Sequence, residues 1–337
     1  MSPISRRDFL KKIAAGGALV SAASLFESSS AAGQPGGEAY LSQPLEGQKP
    51  DLVVAERGEP AALVQAAIDA LGGIEKFVKK GDYVVLKPNV AWARTPQQAC
   101  NTNPEIVAAV AKLCRRAGAG RVEVWDHTCD EFSLCFDLSG IKAAAEAAGA
   151  KVFSGHLEGA YREVTLPGAK SLKKAKILKS VLDCNVLINI PVIKVHSATG
   201  YTASLKNFIG ANFSMSGVHS TPLGLHQGIA DIGTLLKPSL IVSDAIKVLT
   251  SNGPKGPGRL LDVGQVIAGV DPVAMDAYGA GLLGRKPKEI PFILLAHDLG
   301  LGEMDLTKVK VLRLVLRLVG PSIGVGPTQI ILFNKNR

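Results

Sequence analysis

Apolar positions along this chain follow two alternating patterns. Short runs of buried-strand type occur at Tyr83-Val84-Val85-Leu86, Arg121-Val122-Glu123-Val124-Trp125, Val186-Leu187-Ile188-Asn189-Ile190, Leu240-Ile241-Val242 and Val266-Ile267-Ala268. Between them lie stretches with apolar residues at helical spacing, as at Leu63, Ala67, Leu71, Ile74 and Phe77. Asn103-Pro104-Glu105 opens a helix: asparagine caps it, proline occupies its first turn, and the acid sits near the positive end of the dipole. Gly118 suits its C-terminal stop. Ile141 to Ala148 and Pro272 to Leu283 read as further helices, and Lys151-Val152-Phe153 as another strand. This alternation predicts an α/β fold, a mostly parallel sheet with helices on both faces, three-layered and Rossmann-like.

The N-terminus carries a different signal. Ser5-Arg6-Arg7-Asp8-Phe9-Leu10-Lys11-Lys12 precedes a mildly apolar stretch from Ile13 to Phe26, and small residues follow at Ser30-Ala31-Ala32. A charged segment, a short apolar segment and a small-residue exit form the layout of a signal peptide over residues 1–32. The adjacent Arg6 and Arg7 followed by Phe-Leu-Lys resemble the twin-arginine class, which implies the twin-arginine translocase as a partner and a periplasmic or extracytoplasmic destination. The apolar stretch is too short and too weakly hydrophobic for a stable membrane span. Residues 33–50, rich in Gly, Ser, Pro and Gln, read as a tether, residues 51–305 as the α/β domain, and residues 306–337 as a closing strand near Val309 to Leu312 with a tail.

Charge changes the picture less than its total suggests. The net +9 concentrates at the two ends: residues 1–32 hold four basic and two acidic side chains, and the stretch from Asp305 onward holds six basic and one acidic. The body between them is nearly balanced, which argues against a nucleic-acid partner. Five cysteines (Cys100, Cys114, Cys129, Cys135 and Cys184) lack the short paired spacing of a disulfide framework or of an iron–sulfur motif.

In open parallel sheets ligands bind beyond the carboxyl ends of the strands. The residues that follow the strands here are Lys87-Pro88-Asn89, Asp126-His127, Lys194 with His196, Ser243-Asp244 and Asp271-Pro272. Five such ends carrying ionisable groups predict one convergent site. The segment from Pro191 to Asn207 adds Thr199, Lys206 and Asn207, with apolar Val195, Leu205 and Phe208 arguing against a fully solvated loop. Lysine supplies a compact positive charge for phosphate or carboxylate, and a buried lysine can serve as a base. A small anionic ligand is therefore expected, with Lys87, Asn89, Thr199 and Asn207 binding it and Lys194, His196, Lys206 and Asp244 acting on it. His226, Asp231 and Asp271 are candidate ligands for a divalent metal, although they lack a diagnostic spacing. The turn-rich Gly253-Pro254-Lys255-Gly256-Pro257-Gly258 is a candidate cover for the site, with a plain surface loop as the alternative.

Several of these motifs occur in an order that resembles a known family: Lys87-Pro88-Asn89, Asn103-Pro104-Glu105, Pro191 through Asn207, His226 to Asp231, Ser243-Asp244 and Asp271 to Asp276. The series resembles the family catalogued as domain of unknown function 362, over roughly residues 52–305. The resemblance implies export by the twin-arginine route in many members. It also implies iron–sulfur chemistry in members fused to cysteine-rich ferredoxin-like segments, and this chain has no such segment. The expected function is an exported enzyme that binds an anionic small molecule, with a divalent metal as a candidate cofactor. Two alternatives stand beside it: a redox carrier holding a 4Fe-4S cluster through Cys100, Cys129, Cys135 and Cys184, and a non-catalytic exported binding protein.

Overall fold

A computed structural model describes residues 49–317 and, as backbone, 329–333. The expected signal peptide with Arg6 and Arg7, and nearly all of the tether, lie outside the described residues. Twelve strands form among those described: β1 (Leu52–Glu56), β2 (Tyr83–Pro88), β3 (Arg121–Asp126), β4 (Lys151–Ser154), β5 (Tyr161–Thr165), β6 (Lys174–Leu178), β7 (Val186–Ile190), β8 (Val192–Lys194), β9 (Leu240–Leu249), β10 (Leu260–Gly269), β11 (Val311–Arg317) and β12 (Gln329–Phe333). Ten of them make one sheet, in the order β12-β11-β1-β10-β9-β7-β2-β3-β4 with β8 also paired to β9. Strands β4, β3, β2, β7 and β9 run parallel, whereas β10 is antiparallel to both β9 and β1. The sheet is thus mixed and mostly parallel. Strands β5 and β6 pair in a separate antiparallel hairpin.

Alternate residues of the central strands feed two separate cores. Val84, Leu86, Val122, Val124, Ile188 and Val242 pack toward one face. That face is covered by helices α1 (Pro60–Ala70), α2 (Pro104–Arg116), α3 (Phe132–Leu138) and α4 (Ile141–Ala147). Val85, Leu187, Ile241 and Ile267 pack toward the other. Around that second core lie α5 (Lys179–Asp183), α6 (Ser204–Asn207), α7 (Met215–His219), α8 (Gly224–Gly233), α9 (Pro272–Leu282) and α10 (Pro291–Asp298), together with the β5–β6 hairpin. A strand buried on both sides has no polar face to show, which is why these segments read as continuous apolar runs. The expected three-layer architecture is therefore the observed one.

Local chemistry explains the element boundaries. Asn103 caps α2 as its sequence predicts, its side-chain oxygen accepting from the Glu105 backbone N–H at 2.8 Å, and Gly118 follows the helix with φ +87°. Strand β9 runs ten residues rather than the three that its apolar core suggests, and β10 returns along it with a register shift between Asp262 and Gln265. Among the described residues no helix is long and apolar enough to cross a membrane.

Ile188, fully buried in the middle of β7, faces the α1–α2 core. Replacing it with alanine removes buried methyl groups and leaves a cavity, so Ile188→Ala should lose about 2–5 kcal/mol of stability by urea titration. A loss below about 0.5 kcal/mol, the range usual for surface changes, would contradict this packing.

Candidate functional site

The site begins with an ion pair between two strand ends. Lys87 leaves β2 and Asp126 ends β3; their charged groups meet at 2.8 Å with side chains only 1% and 2% exposed. Asp126 also accepts the Val90 backbone N–H at 2.7 Å through its other oxygen. Lys87 donates to the Pro88 carbonyl at 2.7 Å and approaches Asn207 Oδ1 at 3.4 Å. Gly210 passes directly over the pair. A Cβ there would collide with Asp126 Oδ1 and come within 3.1 Å of Lys87 Nζ, so the close approach requires glycine.

The loop after β2 is held by Thr102. Its hydroxyl accepts from the Asn89 backbone N–H at 2.9 Å and donates to the Ile190 carbonyl at 2.7 Å, tying the loop to the end of β7. Beyond β7, Lys194 and Thr202 exchange backbone hydrogen bonds of 3.2 and 3.0 Å and close the intervening residues into a tight excursion. Asp276, buried in α9, then accepts the Ser204 and Leu205 backbone N–H groups at 2.6 and 2.9 Å. This carboxylate sits at the start of α6, where free N–H groups collect, and thereby fixes the helix carrying Lys206 and Asn207. Asn207 donates to the Lys87 carbonyl at 2.9 Å and to Asn189 Oδ1 at 2.8 Å, and accepts from Asn89 Nδ2 at 3.2 Å.

These segments enclose an open cleft with about 460 Å³ of space, mouth included. Asn89, Asp126, His127, Cys129, Lys194, His196, Thr202, Lys206 and Asn207 supply its polar lining, and Trp92, Ile209, Met215 and Pro254 supply apolar walls. Lys194 is 1% exposed. Its ammonium donates to Asn89 Oδ1 at 2.8 Å and to the Cys100 carbonyl. Burial, helped by the nearby charge of Lys206, pulls the Lys194 pKa down to about 7. Burial likewise lowers Lys206 to about 8. Lys206 is partly exposed and makes no hydrogen bond or ion pair among the described residues. His196 accepts the Ala198 backbone N–H at Nδ1, at 3.1 Å, which leaves the proton of the neutral ring on Nε2. Burial and the charges of Lys206 and Lys194 hold its pKa near 3, so it stays neutral at physiological pH. His219 and His226 are also shifted down, by burial and then by Lys206.

Of the expected site residues, the cleft gathers Lys194, His196, Lys206, Asn89 and Asn207, with Lys87 directly beneath. Thr199 does not line it; its hydroxyl donates to the Tyr201 carbonyl at 2.8 Å within the turn. Asp244 lies within β9 rather than after it, and accepts backbone N–H groups of Asn103 at 2.7 Å and Ile246 at 3.0 Å. Burial raises its pKa to about 6. Asp271 follows β10, and because β10 is antiparallel, that end faces the opposite edge of the sheet from the cleft. There Asp271 caps α9 and accepts the N–H groups of Val273, Ala274 and Glu303. Asp231 accepts three backbone N–H groups, those of Lys170, Ser171 and Leu172, along with Gln227 Nε2. His226 stacks on Phe292 with centroids 5.9 Å apart.

His226, Asp231 and Asp271 are thus not gathered into a ligand set. Among the described residues no three His, Cys, Asp or Glu side chains form a group able to hold a metal ion. Cys100 and Cys135 are buried, Cys129 is exposed and Cys184 is intermediate. The four do not assemble around a common centre, so the arrangement does not fit an iron–sulfur cluster either. Thr202, Ile209, Gly210 and Met215 are lining residues that sequence reasoning did not single out. The ordered loop at Gly253-Pro254 does reach the cleft, and a side chain at Gly253 would collide with the Val195 carbonyl.

Comparison with known proteins places the chain in context. A family model described as a domain of unknown function (DUF362) matches residues 84–281. The thylakoid-associated protein sll1697 of Synechocystis sp. (strain ATCC 27184 / PCC 6803 / Kazusa) is 28% identical over 266 residues, covering 73% of this chain and 77% of that protein. Among solved structures, the lactate racemase apoprotein from Thermoanaerobacterium thermosaccharolyticum superposes with a TM-score of 0.43 and 13% identity, over 69% of this chain and 57% of that one. A protein from Thermotoga maritima superposes with a TM-score of 0.35 and 12% identity, over 82% of this chain and 56% of that one. This chain spans little more than half the length of either.

The buried pair yields a direct test. Removing one partner strands the other charge in a dry interior, so Lys87→Met should cost about 3–5 kcal/mol in denaturant titrations. Replacing both, Lys87→Met with Asp126→Leu, should recover much of that loss. Additive losses in the double variant would show that the two charges are not coupled.

Proposed function

The chain belongs to the family described as a domain of unknown function (DUF362), and we propose that its cleft binds a small anionic molecule and acts on it as an enzyme. One observation carries this reading: two lysines, Lys194 and Lys206, line one cleft without a matching carboxylate. Asp126, the carboxylate in the lining, is already committed to Lys87 and to the Val90 backbone N–H. The histidines around Lys206 stay neutral, so they neither compete with an anion nor add to the charge. Asn89, Thr202 and Asn207 add polar groups at the same wall, and Trp92, Ile209 and Met215 give the ligand an apolar surface. Lys194 is the group suited to moving a proton, whereas His196, with its pKa near 3, stays neutral. With a pKa near 7, Lys194 can both take and give one in neutral solution.

Anion binding should be linked to protons. With Lys194 near pKa 7 and Lys206 near 8, both lose charge as pH rises through neutrality. A bound anion favours the charged forms and pushes both values up, so binding takes up protons and weakens as pH rises from about 7 to 9. Calorimetric titration with inorganic phosphate and with acetate, in buffers of differing ionisation enthalpy, measures both effects. Lys206→Gln should weaken binding by about 1.5–3 kcal/mol, the scale of a hydrogen bond to a charged group. Binding that is independent of pH and unchanged in this variant would remove the lysines from the site.

We further infer that the chain is delivered to an extracytoplasmic compartment through the twin-arginine translocase. The Ser5-Arg6-Arg7-Asp8-Phe9-Leu10-Lys11 run and the short apolar stretch after it support this. Arg6→Lys with Arg7→Lys should leave the precursor in the cytoplasm in a fractionation experiment, and continued export would refute the route.

A further inference from the structure

The two lysines of the cleft differ in how available they are. Lys194 is fully buried and held between Asn89 Oδ1, at 2.8 Å, and the Cys100 carbonyl. An imine nitrogen keeps at most one N–H, so covalent chemistry at Lys194 would leave one of these two buried acceptors unmatched. Lys206 has no such ties. It lies on α6, partly exposed, with no hydrogen-bond or ion-pair partner among the described residues, and Ile209 and Met215 line the same cleft. An amine that is kept poorly solvated beside a second cationic group is the arrangement in which lysine becomes a nucleophile.

We propose that Lys206 forms a Schiff base with a small carbonyl compound that carries an anionic group, of the 2-oxo acid class. The proposal rests on the anion reading of the same cleft and gives it a substrate class: Lys194, with its remaining donor, holds the anionic group while Lys206 meets the carbonyl carbon. The neutral Nζ attacks that carbon; a C–N bond forms and the carbonyl π pair moves onto oxygen. One amine proton passes to that oxygen, giving a carbinolamine. The C–O bond then breaks, and the oxygen leaves as water with the second amine proton. Amine and carbonyl thus become imine and water, with no oxidant or reductant required. Once protonated, the imine is an electron sink that eases cleavage of a C–H or C–carboxylate bond at the neighbouring carbon.

Burial leaves both amines partly neutral at pH 7, Lys194 more so than Lys206, and it is the ties of Lys194 to Asn89 and the Cys100 carbonyl that assign the covalent role to Lys206. At neutral pH the share of free amine in a lysine of pKa about 8 exceeds that of an exposed lysine on the order of a hundredfold. Thr202 and Asn89 border the position the anionic group would take, and the cleft stays open to solvent at its mouth, so the water released can escape.

The test is reductive trapping on the full chain: pyruvate with cyanoborohydride at pH 7, followed by peptide mapping of the modified lysines. Lys206 should be modified on the order of a hundredfold faster than exposed lysines such as Lys286 and Lys288. Lys206→Arg, whose guanidinium is not a nucleophile at neutral pH, should lose the fast adduct, and the wild-type protein supplies the anion-binding measurement. Modification spread evenly over exposed lysines, or concentrated on Lys194, would overturn the assignment. If the wild-type cleft binds acetate and phosphate but Lys206 shows no preference, the Schiff base fails and the anion reading stands. If neither anion binds and Lys206 is not preferred, both fail together.

Discussion

The buried ion pair between Lys87 and Asp126 is the constraint on which the rest of the site depends. Two unit charges at 2.8 Å, almost without solvent, are tolerable only while each faces the other and the remaining valences are met. Asp126 meets them through the Val90 N–H, and Lys87 through the Pro88 carbonyl. These secondary bonds fix the chain where it leaves β2 and β3. Asn207 then reads the same place twice, donating to the Lys87 carbonyl and accepting from Asn89. Gly210 seals the pair from above. The position of Lys206, one residue before Asn207, therefore follows from a buried ion pair of which only Asp126 lines the cleft.

A second theme is the use of carboxylates as braces. Asp231, Asp244, Asp271 and Asp276 each accept at least two backbone N–H groups, and each ties together segments that are distant in sequence. A buried carboxylate satisfied by main-chain donors needs no cation, and it holds a loop more rigidly than apolar contact alone. Asp276 does this for the start of α6, and Asp244 for the cap of α2. Among them Asp276 braces the helix that carries Lys206 and Asn207 into the cleft, whereas Asp231 and Asp271 brace segments that do not line it.

Much of the fold was legible because burial on two faces leaves a plain mark. Val84-Val85-Leu86 and Val186-Leu187-Ile188 could only be interior strands, and Asn103-Pro104-Glu105 marked a helix start that the structure reproduces. The β5–β6 hairpin left no such mark, since Arg162, Glu163, Lys174 and Lys176 are exposed and break the apolar pattern. Strand direction was also invisible. Nothing in Val266-Ile267-Ala268 says that it runs against β9, and that one reversal sends Asp271 to the far edge of the sheet. The lysines and amides of the cleft were legible because they follow parallel strands whose C-terminal ends coincide. Thr202, Ile209 and Met215 were not, because their place depends on how the segment after β8 folds back.

The remaining question is why a fold would keep two lysines in a cleft with no carboxylate to answer them. Burial already lowers both pKa values, which means the folded chain carries these groups at a cost that an exposed surface would not impose. A paired acid would offset part of that cost, and Lys87 has such a partner in Asp126 at 2.8 Å. Among the described residues no acid forms an ion pair with Lys194 or Lys206, which distinguishes them from Lys87. Lys87 is matched and closed in; Lys194 is hydrogen-bonded to neutral oxygens; Lys206 makes no ion pair or hydrogen bond among the described residues. This gradation from neutralised to unpaired charge is what makes an anion the complementary ligand for the proposed site.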